Sequence, residues 1–471
     1  MEKGGDRLKI GLLSVYFGLF DDAMPAEFRK GRERFSETLR SLLSLHGEVI
    51  YPGLVDSETA GESAAKAFAK ADVDAVVFAP TMASPPSYGW TALRSVPEAF
   101  VLALGAQESA LVPDDYDTEQ ATRRSLPVGL VMLTNVLVRE NRQFTTLVGD
   151  IGSKDLHAQI EATLRGLVGA KAIRANPLIS IGEPVPGYLD VEASPVALES
   201  LGVSVVHIEV EELNQSFSEI GKEQLRTECE QAIEGCDATA LDPEVLQRSA
   251  QLALAIKQLC NKYNALGGAV NCHGPALRFN PAIGITACLA VTEMAKTNRH
   301  FACTGDLPAG IALALGKAVA GSALYCELYQ LDLTSDWLLV ANGGEGDTSI
   351  ADPRHPIKLT LEEHYMGDKG PGVAVAFNIA KGPATLTSLS PVPSAKGGWA
   401  LIIAEGSIID SKHDAMEGPN GMFRFDSGSV EISYQSWCLA GATHHAALLP
   451  GLRGRELEAA TTALGIEFRK V

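Results

Sequence analysis

The chain has 471 residues, 46% of them hydrophobic and 21% charged, a globular composition in a chain too long for one compact core. Asp and Glu outnumber Lys and Arg by 58 to 39, and the formal net charge of −19 would repel phosphate backbones and anionic lipid surfaces. No Lys/Arg-rich run offers a local exception, so nucleic-acid and membrane-surface roles are disfavoured.

The opening MEKGGDRLKIGLL turns apolar after a few residues, but Tyr16, Gly18 and Asp21 break the run and no small-residue cleavage site follows. Neither a signal peptide nor a transmembrane span is expected. Leu8–Tyr16 (LKIGLLSVY) reads instead as a strand buried on both faces, followed by a helix over Arg29–Leu45. The alternation continues with a short strand at Glu48–Tyr51, an Ala-rich helix at Ala60–Ala71, and strands at Val73–Ala79 and Phe100–Leu104. Parallel strands need helical returns, so this spacing predicts a flavodoxin-like or Rossmann-like parallel sheet over residues 1–143. No G-x-G-x-x-G follows the first strand, and a dinucleotide site is not supported.

A second α/β unit is predicted over residues 144–321, opening near Phe144–Gly149 and continuing through a helix at His157–Leu167 and a strand at Ser204–Val210. Glu211–Arg248 alternates Glu, Gln and Lys with Leu and Ile at helical intervals, the pattern of solvated amphipathic helices. Ser249–Tyr263 extends it and leads to a short strand at Ala269–Cys272. After Gly321 the chain changes to short β-type runs between Gly, Pro, Asp and Asn clusters. These are Tyr325–Leu333, Trp337–Ala341, Val373–Phe377, Ala384–Leu389, Trp399–Ala404 and Val430–Tyr434. Residues 322–471 are therefore expected to form a mostly antiparallel barrel or sandwich. Eight cysteines, at 229, 236, 260, 272, 288, 303, 326 and 438, form no CxxC pair and no dense framework. They read as reduced thiols of a cytoplasmic protein, mostly buried as small hydrophobes.

The best-formed local signal is His300–Gly321 (HFACTGDLPAGIALALGKAVAG). Thr304 and Asp306 offer N-cap oxygens, Pro308 suits the first helical turn, and Gly321 suits the residue after the last. The small residues between them let another backbone approach closely, so this helix is expected to be buried. Ala341–Gly344 (ANGG), Gly382–Leu386 (GPATL), Leu401–Gly406 (LIIAEG) and Gly441–His445 (GATHH) follow in that order.

In the order of these motifs the chain resembles the L-fucose isomerase and L-arabinose isomerase families over nearly its whole length. Their core motif, E-G-D or E-N-D, opens a buried helix and is followed by an acid in the next strand. The resemblance implies aldose–ketose interconversion through an enediol, with two carboxylates and a histidine holding a divalent cation. Mn²⁺ is the usual ion, with Mg²⁺, Co²⁺ or Zn²⁺ as alternatives. It also implies a small-molecule sugar substrate and assembly into a homotrimer or homohexamer. Carried over by position, Glu327 is the second acid, both metal ligand and proton carrier, and His444 is the histidine ligand, with His445 beside it as a substrate contact. The first acid falls on Thr304.

A hydroxyl cannot abstract a carbon-bound proton at neutral pH, so the two-carboxylate mechanism is not available unchanged. Asp306, two residues on, could serve as the catalytic acid, or Glu345 or Glu405 could reach in. Otherwise the chain performs a different reaction on a related substrate, such as that of a lyase or oxidoisomerase acting on a keto-sugar, or only binds a sugar. The plain readings are an edge-strand surface acid for Glu327, a helix cap for Asp306, and an N-cap rather than a pocket-lining side chain for Thr304. The segment Asn271–Arg278 (NCHGPALR) follows a predicted strand, where α/β proteins place substrate loops. His273 and Arg278 are therefore candidate contacts for substrate hydroxyls or an anionic substituent. A Cys272/His273 nucleophilic pair is disfavoured, because neighbours on an extended chain point opposite ways.

Overall fold

The computed structural model describes residues 7–112, 114–362, 371–410 and 418–471, and the chain divides into two compact units, Met1–Leu167 and Val168–Val471. The first is a parallel sheet of β1 (Leu8–Val15), β2 (Gly47–Ile50), β3 (Ala75–Pro80), β4 (Phe100–Gln107) and β5 (Thr145–Asp150), in the order β2-β1-β3-β4-β5. That is the flavodoxin-like winding expected from the alternation. Leu12, Leu13, Val76 and Val77 are fully buried, since helices cover both faces of the central strands. The expected opening of the second unit, Phe144–Gly149, lies instead in β5, paired with β4 from Leu102↔Thr145 onward. Sequence shows that a strand exists but not which sheet receives it, and the helix Leu126–Arg139 returns this one to the first.

The second unit begins with β6 (Leu178–Ile181) and β7 (Val205–Ile208), then β8 (Cys236–Asp237), β9 (Gly267–Val270) and β10 (His300–Ala302). A parallel sheet runs in the order β10-β9-β6-β7, with β8 outside it. Between β7 and β9 lie the predicted polar helices, Val210–Ser218, Lys222–Ile233 and Pro243–Tyr263. Glu228 is a buried exception, only 6% exposed, and burial pushes its carboxyl above the usual range, more than Lys257 and Lys296 pull it down. A carboxyl with a raised folded-state pKa costs stability once ionised, and the cost vanishes below the unfolded value of about 4.3. Glu228→Gln should therefore raise the thermal midpoint at pH 7, with the gain shrinking toward zero at pH 4 in melts followed across that range.

The remaining strands are β11 (Leu324–Asp332), β12 (Trp337–Ala341), β13 (Ile357–Glu362), β14 (Gly372–Ala376), β15 (Gly382–Pro391), β16 (Trp399–Ile409), β17 (Asn420–Phe425), β18 (His445–Pro450) and β19 (Glu467–Lys470). Six of them pair antiparallel in the order β15-β18-β11-β12-β17-β16, and β15 pairs again with β16 from Gly382↔Ile408 to Pro391↔Trp399. The ring is thus closed, a barrel without free edges, and β19 lies parallel to β16 beside it. Strands β13 and β14 form a separate three-stranded sheet with β8.

Alternation assigns the faces: Leu324, Cys326, Leu386, Ile402 and Leu448 pack in one cluster, while Tyr325, Leu401, Ile403, Ala447 and Leu449 pack with the helix Leu307–Ala320 in another. The predicted strand at Val430–Tyr434 is instead the helix Val430–Leu439, capped by the Ser429 side chain. A short apolar run does not distinguish the two, and the Ser cap with Glu431 in the first turn decides it. Among the described residues no helix is long and apolar enough to cross a membrane.

The helix Leu307–Ala320 joins the two layers of this unit. Asp306 caps it, Pro308 occupies its first turn, and Gly321 ends it in the left-handed conformation at φ 79°, as its sequence predicts. A methyl group added at Gly310 would lie 2.5 Å from the Gly268 carbonyl oxygen of β9, and one at Gly316 would run into Leu449 of β18. The small residues therefore let the helix lie against strand backbone on one side and barrel side chains on the other.

Candidate functional site

Three loops leave the carboxyl ends of β6, β9 and β10, the edge of a parallel sheet where ligand crevices form. They are held to one another by hydrogen bonds to backbone carbonyls. The Asn271 amide side chain donates to the Glu183 carbonyl at 2.6 Å, Gly305 N–H donates to the Val270 carbonyl at 3.2 Å, and Val185 N–H donates to the Thr304 carbonyl at 3.1 Å. Two positive dihedrals turn the loop after β10, Thr304 at φ 57° and Gly305 at φ 80°. A side chain at Gly305 would meet the Pro184 backbone at 2.7 Å, so only glycine fits. Thr304 is β-branched in a conformation that costs such residues roughly 1–3 kcal/mol. Its hydroxyl donates to the neighbouring Cys303 carbonyl at 2.8 Å and the residue is 8% exposed.

Asp306 is fully buried with both oxygens committed. Oδ1 accepts Ala309 N–H at 2.8 Å, capping the helix, and Oδ2 lies 2.8 Å from His445 Nδ1. A carboxylate only accepts, so His445 Nδ1 carries the proton and Nε2 presents its lone pair. That Nε2 is buried without a hydrogen-bond partner, and Glu327 Oε1 is 3.8 Å from it. The antiparallel register sets this pair, with Glu327 of β11 directly opposite His445 of β18. The Glu327 side chain is 36% exposed, so one side of the pair faces solvent.

His444 diverges from its neighbour. Its backbone N–H and Nδ1 both engage Asp190 Oδ2, at 3.0 and 2.6 Å, its ring meets Tyr188 edge-on at 5.1 Å, and its side chain is 39% exposed. Burial tends to raise the Asp190 carboxyl, but the hydrogen bonds from His444 outweigh it and hold the group below the usual range. The structure thus brings Glu327 to His445 and ties His444 to the loop after β6.

Tyr325, two residues before Glu327 and on the same strand face, packs against His445 with the rings tilted by 47° and their centroids 4.8 Å apart. Its hydroxyl is buried without a hydrogen-bond partner. Burial, with the charges of Cys303, Asp306, Glu345 and Glu327, pushes it well above the usual phenol range and keeps it protonated. The turn after β12 is fixed by Asn342, whose amide donates to the Tyr325 carbonyl at 2.6 Å and to the Glu345 carbonyl at 2.7 Å. Glu345 itself is 3% exposed, and its charge is felt by both Tyr325 and Cys303. Glu405 does not reach this site: it accepts Gly454 N–H at 2.9 Å, at the start of the helix Gly454–Leu464, and pairs with Lys470.

On the loop after β9, Arg278 is 3% exposed rather than solvated, and His273 N–H donates to Asn271 Oδ1 at 2.9 Å. Burial, then the Arg278 charge, holds the His273 imidazole below its usual pKa, so it is neutral at pH 7. The Cys303 thiol is pushed well above the usual thiol range by its contact with Cys272 and by burial. It is therefore a poor nucleophile.

Fold and site together define an α/β protein with a barrel whose outer strand face carries a carboxylate–histidine–carboxylate array. Residues 322–467 match the family model described as the L-arabinose isomerase C-terminal domain, so this part of the chain is sugar isomerase-like. No curated protein matches the chain. Among solved structures, an ABC transporter solute-binding protein from Burkholderia multivorans is similar over 66% of this chain and 93% of that one, with 15% identity and a TM-score of 0.17. A superposition that poor supports no inference about function.

The array differs from the sequence expectation in which histidine faces Glu327. Position within the motif selects His444, but strand register turns the next residue toward the acid. The motifs by themselves name neither Tyr325 nor Asp190. The i, i+2 spacing of Tyr325 and Glu327 was a signal for the first, while nothing in the sequence connects Asp190 to His444, 254 residues away.

Proposed function

We propose that this chain is a divergent, cytoplasmic member of the L-fucose/L-arabinose isomerase-like superfamily, a metal-dependent intramolecular oxidoreductase acting on a free or acidic monosaccharide. One observation carries the reading. His445 donates its Nδ1–H to a buried carboxylate and points the other ring nitrogen, unpartnered, toward Glu327, which is how metal-binding histidines are oriented. The residues therefore fit the ion, with His445 and Glu327 as its protein ligands and open positions left for substrate hydroxyls. A bound Mn²⁺ would polarise the substrate oxygens at which negative charge develops. Asp306 fixes the His445 tautomer, Glu327 is the proton carrier, and the neutral Tyr325 hydroxyl is a donor for a substrate oxygen. The solvent-facing side of Glu327 suits closure by a second subunit of a homo-oligomer.

Thr304 motivates a second reading. With its hydroxyl bonded to Cys303, Asp306 committed to its two partners and Glu405 elsewhere, Glu345 is the one acid of those named that is left to stand in for the second carboxylate. A lyase or oxidoisomerase acting on a keto-sugar is the alternative reaction on the same scaffold. The first test is titration of the metal-free protein with Mn²⁺, followed by thermal shift. A saturable rise in midpoint is expected, and Glu327→Gln should abolish both the shift and turnover on a panel of pentoses, hexoses and their deoxy, keto and acid derivatives. A protein that neither binds nor responds to Mn²⁺, Co²⁺, Mg²⁺ or Zn²⁺ would refute the metalloenzyme reading. Aldose–ketose activity gained in Thr304→Glu would show that this position separates the chain from isomerases.

A further inference from the structure

We propose a second metal site, independent of the Glu327–His445 pair, in which Cys272, His273 and Cys303 bind Zn²⁺ with an open fourth position. One ligand atom from each of the three residues lies within 4.8 Å of the others. Cys272 and His273 come from the loop after β9, and Cys303 comes from the loop after β10, so the cluster spans the adjacent carboxyl ends of two parallel strands. The adjacency of Cys272 and His273 in sequence argued against cooperation only on an extended chain. Here the chain leaves β9 through a turn, held by Asn271 Oδ1 accepting His273 N–H at 2.9 Å, and both side chains converge on the same thiol.

The separation of the sulfurs selects the chemistry. The two Sγ atoms are 3.9 Å apart. A disulfide requires about 2.05 Å, whereas two thiolates about 2.3 Å from a tetrahedral zinc ion lie about 3.8 Å from each other. The observed gap is close to that of two ligands of one ion, and side-chain rotation within the 4.8 Å cluster would bring all three atoms to bonding distance. Two sulfurs and an imidazole nitrogen select a soft or borderline cation and disfavour Mg²⁺ and Mn²⁺, the reverse of what the oxygen-rich Glu327 site prefers. Cys272 and the Cys303 sulfur are buried and His273 is half-buried, so access to the open position is on the His273 side. Three protein ligands with one open position characterise catalytic rather than structural zinc. Binding releases the thiol protons to solvent, and no oxidant or reductant is involved.

The test uses the full-length protein, stripped of metal under reducing conditions and titrated with Zn²⁺ and, separately, Co²⁺. One Co²⁺ is expected to bind with the near-ultraviolet sulfur-to-cobalt charge-transfer band and the visible bands of a tetrahedral site, and Zn²⁺ should displace it. Cys303→Ser and Cys272→Ser should each remove the charge-transfer band and weaken Zn²⁺ binding at least 100-fold. Glu327→Gln should leave the band in place, which separates this site from the one carried by His445. Far-ultraviolet circular dichroism of the serine variants guards against misfolding, and His273→Asn supplies a further variant that keeps both thiols. Absence of the charge-transfer band in the reduced wild-type protein would overturn the proposal. So would its persistence in the Cys272→Ser/Cys303→Ser double variant, or a spontaneous loss of two hydrogens by mass in place of metal uptake.

Discussion

Asp306→Asn is expected to lower affinity for Mn²⁺ by roughly 10- to 100-fold, the usual cost of losing the outer partner of a metal-binding histidine, while hardly changing stability. The substitution is nearly isosteric, and Asn caps helices as well as Asp does. Capping needs an oxygen facing Ala309 N–H, now 2.8 Å from Oδ1, so the new amide nitrogen must face His445 Nδ1. An N–H donor there drives the imidazole to its other tautomer and places a proton on Nε2, the atom with the unused lone pair. Asp306→Ala loses the cap as well, at a further cost of about 1 kcal/mol. Isothermal titration with Mn²⁺ and thermal melts of both variants read the two effects separately. Unchanged affinity in Asp306→Asn would remove the basis for His445 as a ligand.

The second large effect concerns the helix that carries this aspartate. Gly310→Val should destabilise the second unit by about 3 kcal/mol or more. Replacing glycine inside a helix gains up to about 1 kcal/mol in propensity, but overpacking a tight contact costs about 1–3 kcal/mol even when the neighbours are side chains that can adjust. Here the neighbour is the Gly268 carbonyl of β9, 2.5 Å from where the first added carbon would sit, and backbone of a central strand cannot step aside. Chemical denaturation measures the loss. Gly310→Ala should fall between the two, and a variant as stable as the parent would show that helix and sheet separate easily.

Much of the architecture was legible because both of its periodicities are strong. Leu8–Val15 and Ala75–Pro80 are continuous apolar runs because helices cover both faces, and the alternation in β11, β12 and β16 separates two faces. The helix Leu307–Ala320 was readable to its last residue, since cap, proline, small-residue face and terminal glycine all agree. What sequence did not carry was pairing. Phe144–Gly149 is visible as a strand, but its membership of the first sheet is a tertiary fact. Val430–Tyr434 was too short for its period to decide between strand and helix.

The same division holds for the site. Glu327 and Asp306 could be named from a motif, whereas the choice between His444 and His445 depends on the pairing of β18 with β11. One residue of register reverses the answer. Asp190, buried Arg278 and the Cys272–Cys303 approach of 3.9 Å come from separate loops and are visible only once the carboxyl ends of β6, β9 and β10 are assembled.

The closed ring of six strands bears on how this site can change over generations. In an open sheet one strand can slide against its neighbour and relax at a free edge. In a ring every slip must be matched by all six members, so the opposition of Glu327 and His445 is guarded by β12, β15, β16 and β17, none of which carries either residue. Single-residue insertions in any barrel strand should therefore be purged even far from the cleft. The loops after β6, β9 and β10 carry no such constraint. Substitutions such as the threonine at position 304 can be accommodated there while the Glu327–His445 opposition stays in register.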